Sequence, residues 1–208
     1  MVFFIKKIKM SSKLTVKSVF DKISKFDLST LIIPSSNKGL RGQSLEKLLE
    51  IPASSKLTDL EDGELKTYTF GSTIFITQIK HCLSEIINDS ISFENSKVGQ
   101  KLKQVIFVSF SKKNDYLGSV ITSNKTHPDI YRKISEDYNF ICNKIREIYY
   151  KKEQLHTITG PNKMLQIRTK SSWNPLTKEY PQLIFNEHTL KNKYMAFYLC
   201  SYFGKNIF

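Results

Sequence analysis

Three side chains near one strand start carry the chemistry of this chain. They lie in Asp59-Leu60-Glu61-Asp62-Gly63-Glu64-Leu65-Lys66-Thr67. Side chains on a strand alternate faces, so Glu64 and Lys66 project one way while Leu65 and Thr67 project the other. A carboxylate and an ammonium group then stand side by side. Asp59, on the loop just before, is within reach of both. Two carboxylates make a hard-oxygen site suited to Mg²⁺, and a lysine beside them can hold or deprotonate a water molecule. These are the parts of a metal-assisted phosphodiester hydrolase. The bland counterpart is an exposed strand bearing an i, i+2 ion pair, a pattern that arises by chance in a chain rich in Lys and Glu. The surrounding elements have to decide between the two.

The 208 residues suffice for one substantial domain, and an apolar content of 40% allows a packed core. Lys and Arg number 32 against 19 acids, a net charge of +13 that favours a polyanionic partner. A general bias toward Lys, Asn, Ile, Phe and Tyr accounts for part of that basicity. Cys82, Cys142 and Cys200 form no C-x-x-C pair and read as reduced thiols of a cytoplasmic protein. Met1-Val2-Phe3-Phe4-Ile5 is broken at once by Lys6 and Lys7, too short for a signal-peptide core. No segment reaches the ~20 apolar residues of a membrane span. The expectation is a soluble protein that engages no membrane.

Periodicity predicts a helix over about residues 14–25, a loop at Pro34 to Gly39, and a helix whose face carries Leu45, Leu48 and Leu49 with Glu46 at its margin, ended by Pro52. Thr67 to Phe70 and Ile74 to Ile76 read as paired strands around a Gly71-Ser72 turn. A short helix over about 79–88 and apolar strands at Val105 to Val108 and Leu117 to Thr122 follow. Ile130, Ile134, Tyr138, Ile141, Ile145 and Ile148 keep a 3.6-residue period after the helix start at Pro128. Lys163 to Lys170 reads as a strand with Gln166, Arg168 and Lys170 on one face, and Lys191 to Tyr202 as a helix. Its aromatics Tyr194, Phe197, Tyr198 and Tyr202 read as core. Strands alternating with helices predict a mixed α/β domain. His81, His127, His156 and His188 lack any local zinc spacing, and no P-loop, nucleophile elbow, zinc finger or RNP signature occurs.

Five segments, in order, resemble the MutH family, the mismatch-repair nicking endonucleases and their restriction-enzyme relatives that cut at GATC, within the PD-(D/E)-x-K nucleases. Lys38-Gly39-Leu40-Arg41-Gly42-Gln43-Ser44-Leu45-Glu46 is similar to the family's K-G-x-x-G-x-x-L-E helix. Gly63-Glu64-Leu65-Lys66-Thr67 is similar to G-x-E-L-K-T with one residue fewer. Phe93-Glu94-Asn95-Ser96 with Lys101-Leu102-Lys103 resembles W-E-T-S and H-K-L-K-R-V-L. Leu165-Gln166-Ile167-Arg168-Thr169-Lys170 resembles L-Q-I-R-P-K, and Leu190-Lys191-Asn192-Lys193-Tyr194 resembles Y-L-K-K-N-F.

The resemblance implies a restriction-endonuclease-like fold: a mixed central sheet flanked by helices, with an N-terminal lobe to about residue 65 and a C-terminal lobe from about 66 around a DNA cleft. It implies that Asp59 and Glu64 bind Mg²⁺, with Mn²⁺ as a substitute, and that Lys66 positions or activates the attacking water. Glu46 takes the place of a helical glutamate that organises the metal site, and Lys101 that of a further lysine near the active site. Arg168, Lys170 and Lys191 would contact double-stranded DNA, Arg168 being the better base reader.

The departures are specific. Thr58 stands for the nominal proline, the Asp59–Glu64 gap is two residues short, which makes Asp62 a competitor for the metal, and Thr169 replaces a proline. Thr189 stands where the family has the tyrosine that senses adenine and its methylation. The expected activity is that of a type II restriction endonuclease at GATC or a related site, a homodimer on DNA if both strands are cut. The alternatives are a strand-nicking repair enzyme with a mismatch-repair partner, or a non-catalytic DNA-binding module.

Overall fold

The chain's strongest apolar run, Val105-Ile106-Phe107-Val108, becomes a strand buried on both faces in the computed structural model, and both hydrophobic cores form around it. The structure describes residues 14–30, 38–53, 56–89, 91–170, 174–179, 182–185 and 188–207. In chain order these give α1 (Val16–Ile23), α2 (Lys38–Leu48), β1 (Glu64–Thr69), β2 (Ile74–Gln78), α3 (Leu83–Ile87), α4 (Lys97–Leu102), β3 (Gln104–Phe110) and β4 (Tyr116–Ser123). The remainder are α5 (Pro128–Tyr150), β5 (Ile158–Thr159), β6 (Leu165–Thr169), β7 (Gln182–Phe185), β8 (His188–Lys193), β9 (Met195–Leu199) and α6 (Ser201–Gly204). The architecture is mixed α/β, as the alternation of elements predicts.

One sheet has the order β1-β3-β4, with β1 parallel to β3 and β4 antiparallel to it. A second has the order β2-β9-β6-β5 and is antiparallel, and β7 pairs with β8. Alternate side chains of β3 serve opposite faces. Val105 and Phe107 join Tyr68, Val98, Leu102, Tyr138, Ile141 and Phe197 in the larger core. Ile106, Val108 and Phe110 join Val16, Val19, Leu45, Leu49 and Leu65 in the smaller one. The first sheet thus carries α1 and α2 on one face and α4 on the other.

Two expectations about strands and helices need correction. Thr67 to Phe70 and Ile74 to Ile76 do not pair with each other: β1 pairs with β3, and β2 pairs with β9. A turn does occur between them, with Ser72 N donating to Thr69 O at 2.9 Å and Gly71 at φ +77°. Burial of distant apolar strands outweighs the local turn signal, and the chain passes from one sheet to the other. The segment from Lys191 to Tyr202 is not a helix. Met195, Ala196, Phe197 and Leu199 are buried and Tyr198 is half-buried. The segment is extended, and β9 lies in the middle of the second sheet with β2 on one side and β6 on the other. Of the aromatics read as core, only Phe197 is fully enclosed, and Tyr202 is exposed.

The long helix α5 matches its predicted stripe, and it also buries a carboxylate. Asp137 is 0% exposed and accepts three backbone N–H groups: Asn162 at 2.8 Å, Met164 at 2.8 Å and Leu165 at 2.9 Å. These bonds fix the start of β6. All three cysteines are free and buried, and burial pushes the Cys142 thiol up to about 12. Among the described residues no helix is long and apolar enough to cross a membrane. Asp137→Ala leaves three amides without acceptors and is expected to cost roughly 3 kcal/mol of unfolding free energy or more. Urea denaturation checks this.

Candidate active site

A tightly tied loop delivers the acidic cluster. Thr15 caps α1 in a capping box with Ser18, and Asp62 Oδ1 accepts from Val16 N at 2.7 Å. Glu61 N donates to Leu14 O at 3.1 Å, and Leu60 N to Gly63 O at 2.9 Å. Gly63 has no room for a side chain: a Cβ there would lie 2.3 Å from Gln104 O. The chain therefore enters β1 in one way, with Glu64 as its first residue. Asp62 Oδ1 is engaged at the helix start.

Glu64 is 1% exposed and receives two ammonium groups on Oε1, Lys66 Nζ at 2.5 Å and Lys101 Nζ at 2.9 Å. Its other oxygen, Oε2, accepts from Asp59 N at 3.1 Å. Asp59 Oδ2 lies 4.0 Å from Lys66 Nζ and accepts a long bond from Leu65 N at 3.4 Å. Lys66 Nζ thus stands between the two carboxylates. Glu64 and Lys66 share a face of β1, as their spacing predicts.

Because β1 is the free edge of its sheet, groups from both faces converge on it. Lys101 comes from α4, where Ser96 Oγ accepts from Gly99 N at 3.0 Å and donates to Phe93 O at 2.7 Å. Gly99 is required here, since a Cβ would fall 1.8 Å from Phe93 O. Glu46 comes from α2 on the opposite face. Its pKa is raised, first by burial and then by repulsion from Asp59 and Glu64, with Lys66 opposing. The Asp59 carboxyl is raised too, first by burial; Lys66 pulls it down and Glu64 pushes it up. All five residues expected to act together are therefore brought together.

Among the described residues no three His, Cys, Asp or Glu side chains gather closely enough to form a metal cluster. Asp59 and Glu64 are the pair that could hold a divalent ion. Their donors are hard oxygens, and burial, with Glu64 adding to it, lifts Asp59.

A second group lies on the exposed face of the other sheet. Arg168 and Lys170 are exposed, Gln166 is half-buried on the same face, and Leu165 and Ile167 are buried beneath. Sequence reasoning missed their aromatic companions. The Arg168 guanidinium lies 5.6 Å from the Tyr198 ring, and Lys170 Nζ lies 4.1 Å from the Phe75 ring. Lys80 Nζ lies 5.1 Å from the Tyr194 ring, and Phe75 meets Tyr198 edge-on at 5.7 Å. Lys191 lies on β8, but its side chain is outside the described structure, as is that of Thr189. The strand beside β6 is β9, so the tyrosine next to Arg168 is Tyr198.

No protein-family model matches the chain, and no curated protein sequence matches it.

Two opposite stability effects follow. Glu64→Gln strands two ammonium groups and is expected to destabilise by about 2 kcal/mol, less than for a fully enclosed pair because both lysines keep some water. Asp59 behaves inversely. Its folded pKa lies above the unfolded value of about 4, so the ionised form burdens the fold at neutral pH. Asp59→Asn is expected to raise the melting temperature at pH 7 without divalent ions. The gain should fade as pH falls through the raised folded value towards about 4, and be gone below it, where the parent carboxyl is protonated in both states. Thermal melts across pH check both.

Proposed function

We propose that this chain is a MutH-like, divalent-metal-dependent DNA endonuclease with a restriction-endonuclease-like fold, two lobes around a DNA cleft. The observation that carries the reading is the convergence of Glu46, Asp59, Glu64, Lys66 and Lys101 on one sheet edge from separate stretches of chain. An i, i+2 ion pair arising by chance would not gather a second lysine and two further carboxylates. The net charge of +13 supports a polyanionic substrate.

Asp59 and Glu64 are the ligands for Mg²⁺, which when bound supplies a more acidic water and neutralises phosphate charge. Lys66 holds the attacking water on the line opposite the 3′ oxygen. The water loses a proton as its oxygen bonds to phosphorus, the bond to the 3′ oxygen breaks, that oxygen takes up a proton to become a 3′ hydroxyl, and a 5′-phosphate remains. Lys101 and Lys66 place positive charge beside the phosphate, and Glu46 completes the acidic wall.

Arg168 and Lys170 are the DNA-facing pair, Arg168 reading a guanine edge and Lys170 a phosphate. Tyr198-Leu199, with Phe203 four residues after Leu199, fits the family's Y-L-K-K-N-F segment as well as Thr189-Leu190 does, and it lies beside the reading strand. Tyr198 is then the adenine-sensing position. The substrate is double-stranded DNA at GATC or a related site, and cutting both strands requires a second copy on the DNA.

Supercoiled plasmid, methylated and unmethylated, incubated with Mg²⁺ tests the reading. Discrete fragments with 5′-phosphates are expected, and chelation should abolish them. Lys66→Ala should lower the cleavage rate by about 10²–10⁴-fold with DNA affinity retained. Arg168→Ala should weaken discrimination at one base pair by roughly 1–3 kcal/mol. Retarded but uncut plasmid would leave only a DNA-binding module, and a smear would remove the sequence preference.

A further inference from the structure

The first half of α2 is held by a buried cation, and this has a consequence for Glu46. Leu45 and Leu49 anchor the second half of the helix and the residue after it, and Leu40 is the one apolar residue before them. Arg41 is 7% exposed. Its Nη1 donates to Thr69 Oγ1 at 3.0 Å, its Nη2 donates to Asn114 Oδ1, and its guanidinium lies 4.9 Å from the Phe110 ring. Thr69 ends β1, Phe110 ends β3, and Asn114 sits in the turn before β4.

That turn is rigid. Asn114 takes φ +73°, and its N donates to Ser111 O at 3.1 Å. Ser111 N donates to Asp115 O at 2.8 Å, and Ser111 Oγ to Asp115 Oδ2 at 2.7 Å.

Among the described residues no carboxylate forms an ion pair with Arg41, and its buried Nε has no hydrogen-bond partner. An uncompensated buried cation is costly, and an apolar side chain would dock a helix with less penalty. What the guanidinium adds is direction. Its planar fork fixes the rotation of α2 about its own axis, which greasy contacts alone define poorly.

Rotation matters because Glu46 lies five residues further along the same helix. Its carboxylate stands about 6 Å from the axis, so a 20° roll would move it by about 2 Å. Shifts of about 1 Å at such sites cost on the order of 10²-fold in rate.

We infer that Arg41 is a positioning residue for Glu46, locking α2 onto the ends of β1 and β3 and onto the β3–β4 turn. This rests on the proposed role of Glu46 at the metal site.

The test is a double-mutant cycle. Arg41→Met keeps the length and loses both bonds. It should lower the Mg²⁺-dependent cleavage rate by about 10–100-fold and raise the Mg²⁺ concentration for half-maximal rate. DNA affinity measured with Ca²⁺ should stay unchanged. In the metal-free protein, α2 amides should exchange faster while those of β3 keep their protection. Arg41→Met combined with Glu46→Gln should be no slower than Glu46→Gln alone, which a general structural role would not produce.

Multiplying losses, or parental cleavage by Arg41→Met, would overturn the inference. Should Arg41→Met fail to fold, Asn114→Ala removes one anchor with Arg41 in place, and the same non-additivity is expected. A parent protein that does not cut at all would sink the nuclease reading instead. The exchange arm would still show whether Arg41 holds α2, and unchanged α2 protection would overturn that too.

Discussion

A carboxylate almost wholly withdrawn from water is the constraint that organises this molecule. Glu64 begins an edge strand, and two ammonium groups and one backbone N–H meet its carboxylate there. Each partner makes a demand on the fold. Lys66 needs β1 extended from its first residue. Asp59 needs the loop tied back on α1, which the capped Val16 and the side-chain-free Gly63 provide. Lys101 needs α4 to start at one place, which Ser96 and Gly99 set. The catalytic reading and the folding requirement therefore fall on the same atoms.

Tension is built into the same place. Asp59 and Glu46 are carboxylates lifted first by burial, with Glu64 pushing on both and Asp59 on Glu46, and Lys66 only partly offsetting this. A fold selected for stability alone would not keep buried carboxylates within repulsive reach of one another. Glu64 is satisfied while its neighbours are not, and that imbalance is what a divalent ion would relieve.

Much of the site was legible in the chain, because it is written in short-range patterns. The i, i+2 spacing of Glu64 and Lys66 fixes a shared face, and the helical stripe from Ile130 to Ile148 marks α5. Other features are set by distant partners. The parallel pairing of β1 with β3 depends on a strand some forty residues away, and the Gly71 turn between β1 and β2 pointed to a hairpin that does not form. The run from Met195 to Leu199 is apolar throughout, and its aromatic content suggested a helix. Asp137 gave no signal, since an acid inside an apolar stripe looks like an interruption until its three amide partners are seen. The aromatic partners of Arg168 and Lys170 come from β2 and β9, far from them in sequence.

The place between Asp59 and Glu64 already holds a positive charge, the Lys66 ammonium. An incoming sodium or potassium ion would exchange one unit of charge for another and lose well-made hydrogen bonds in the process. Only a small ion of double charge improves on the resident amine. If the pair holds a metal as proposed, the lysine would act as a valence filter that favours divalent over monovalent ions.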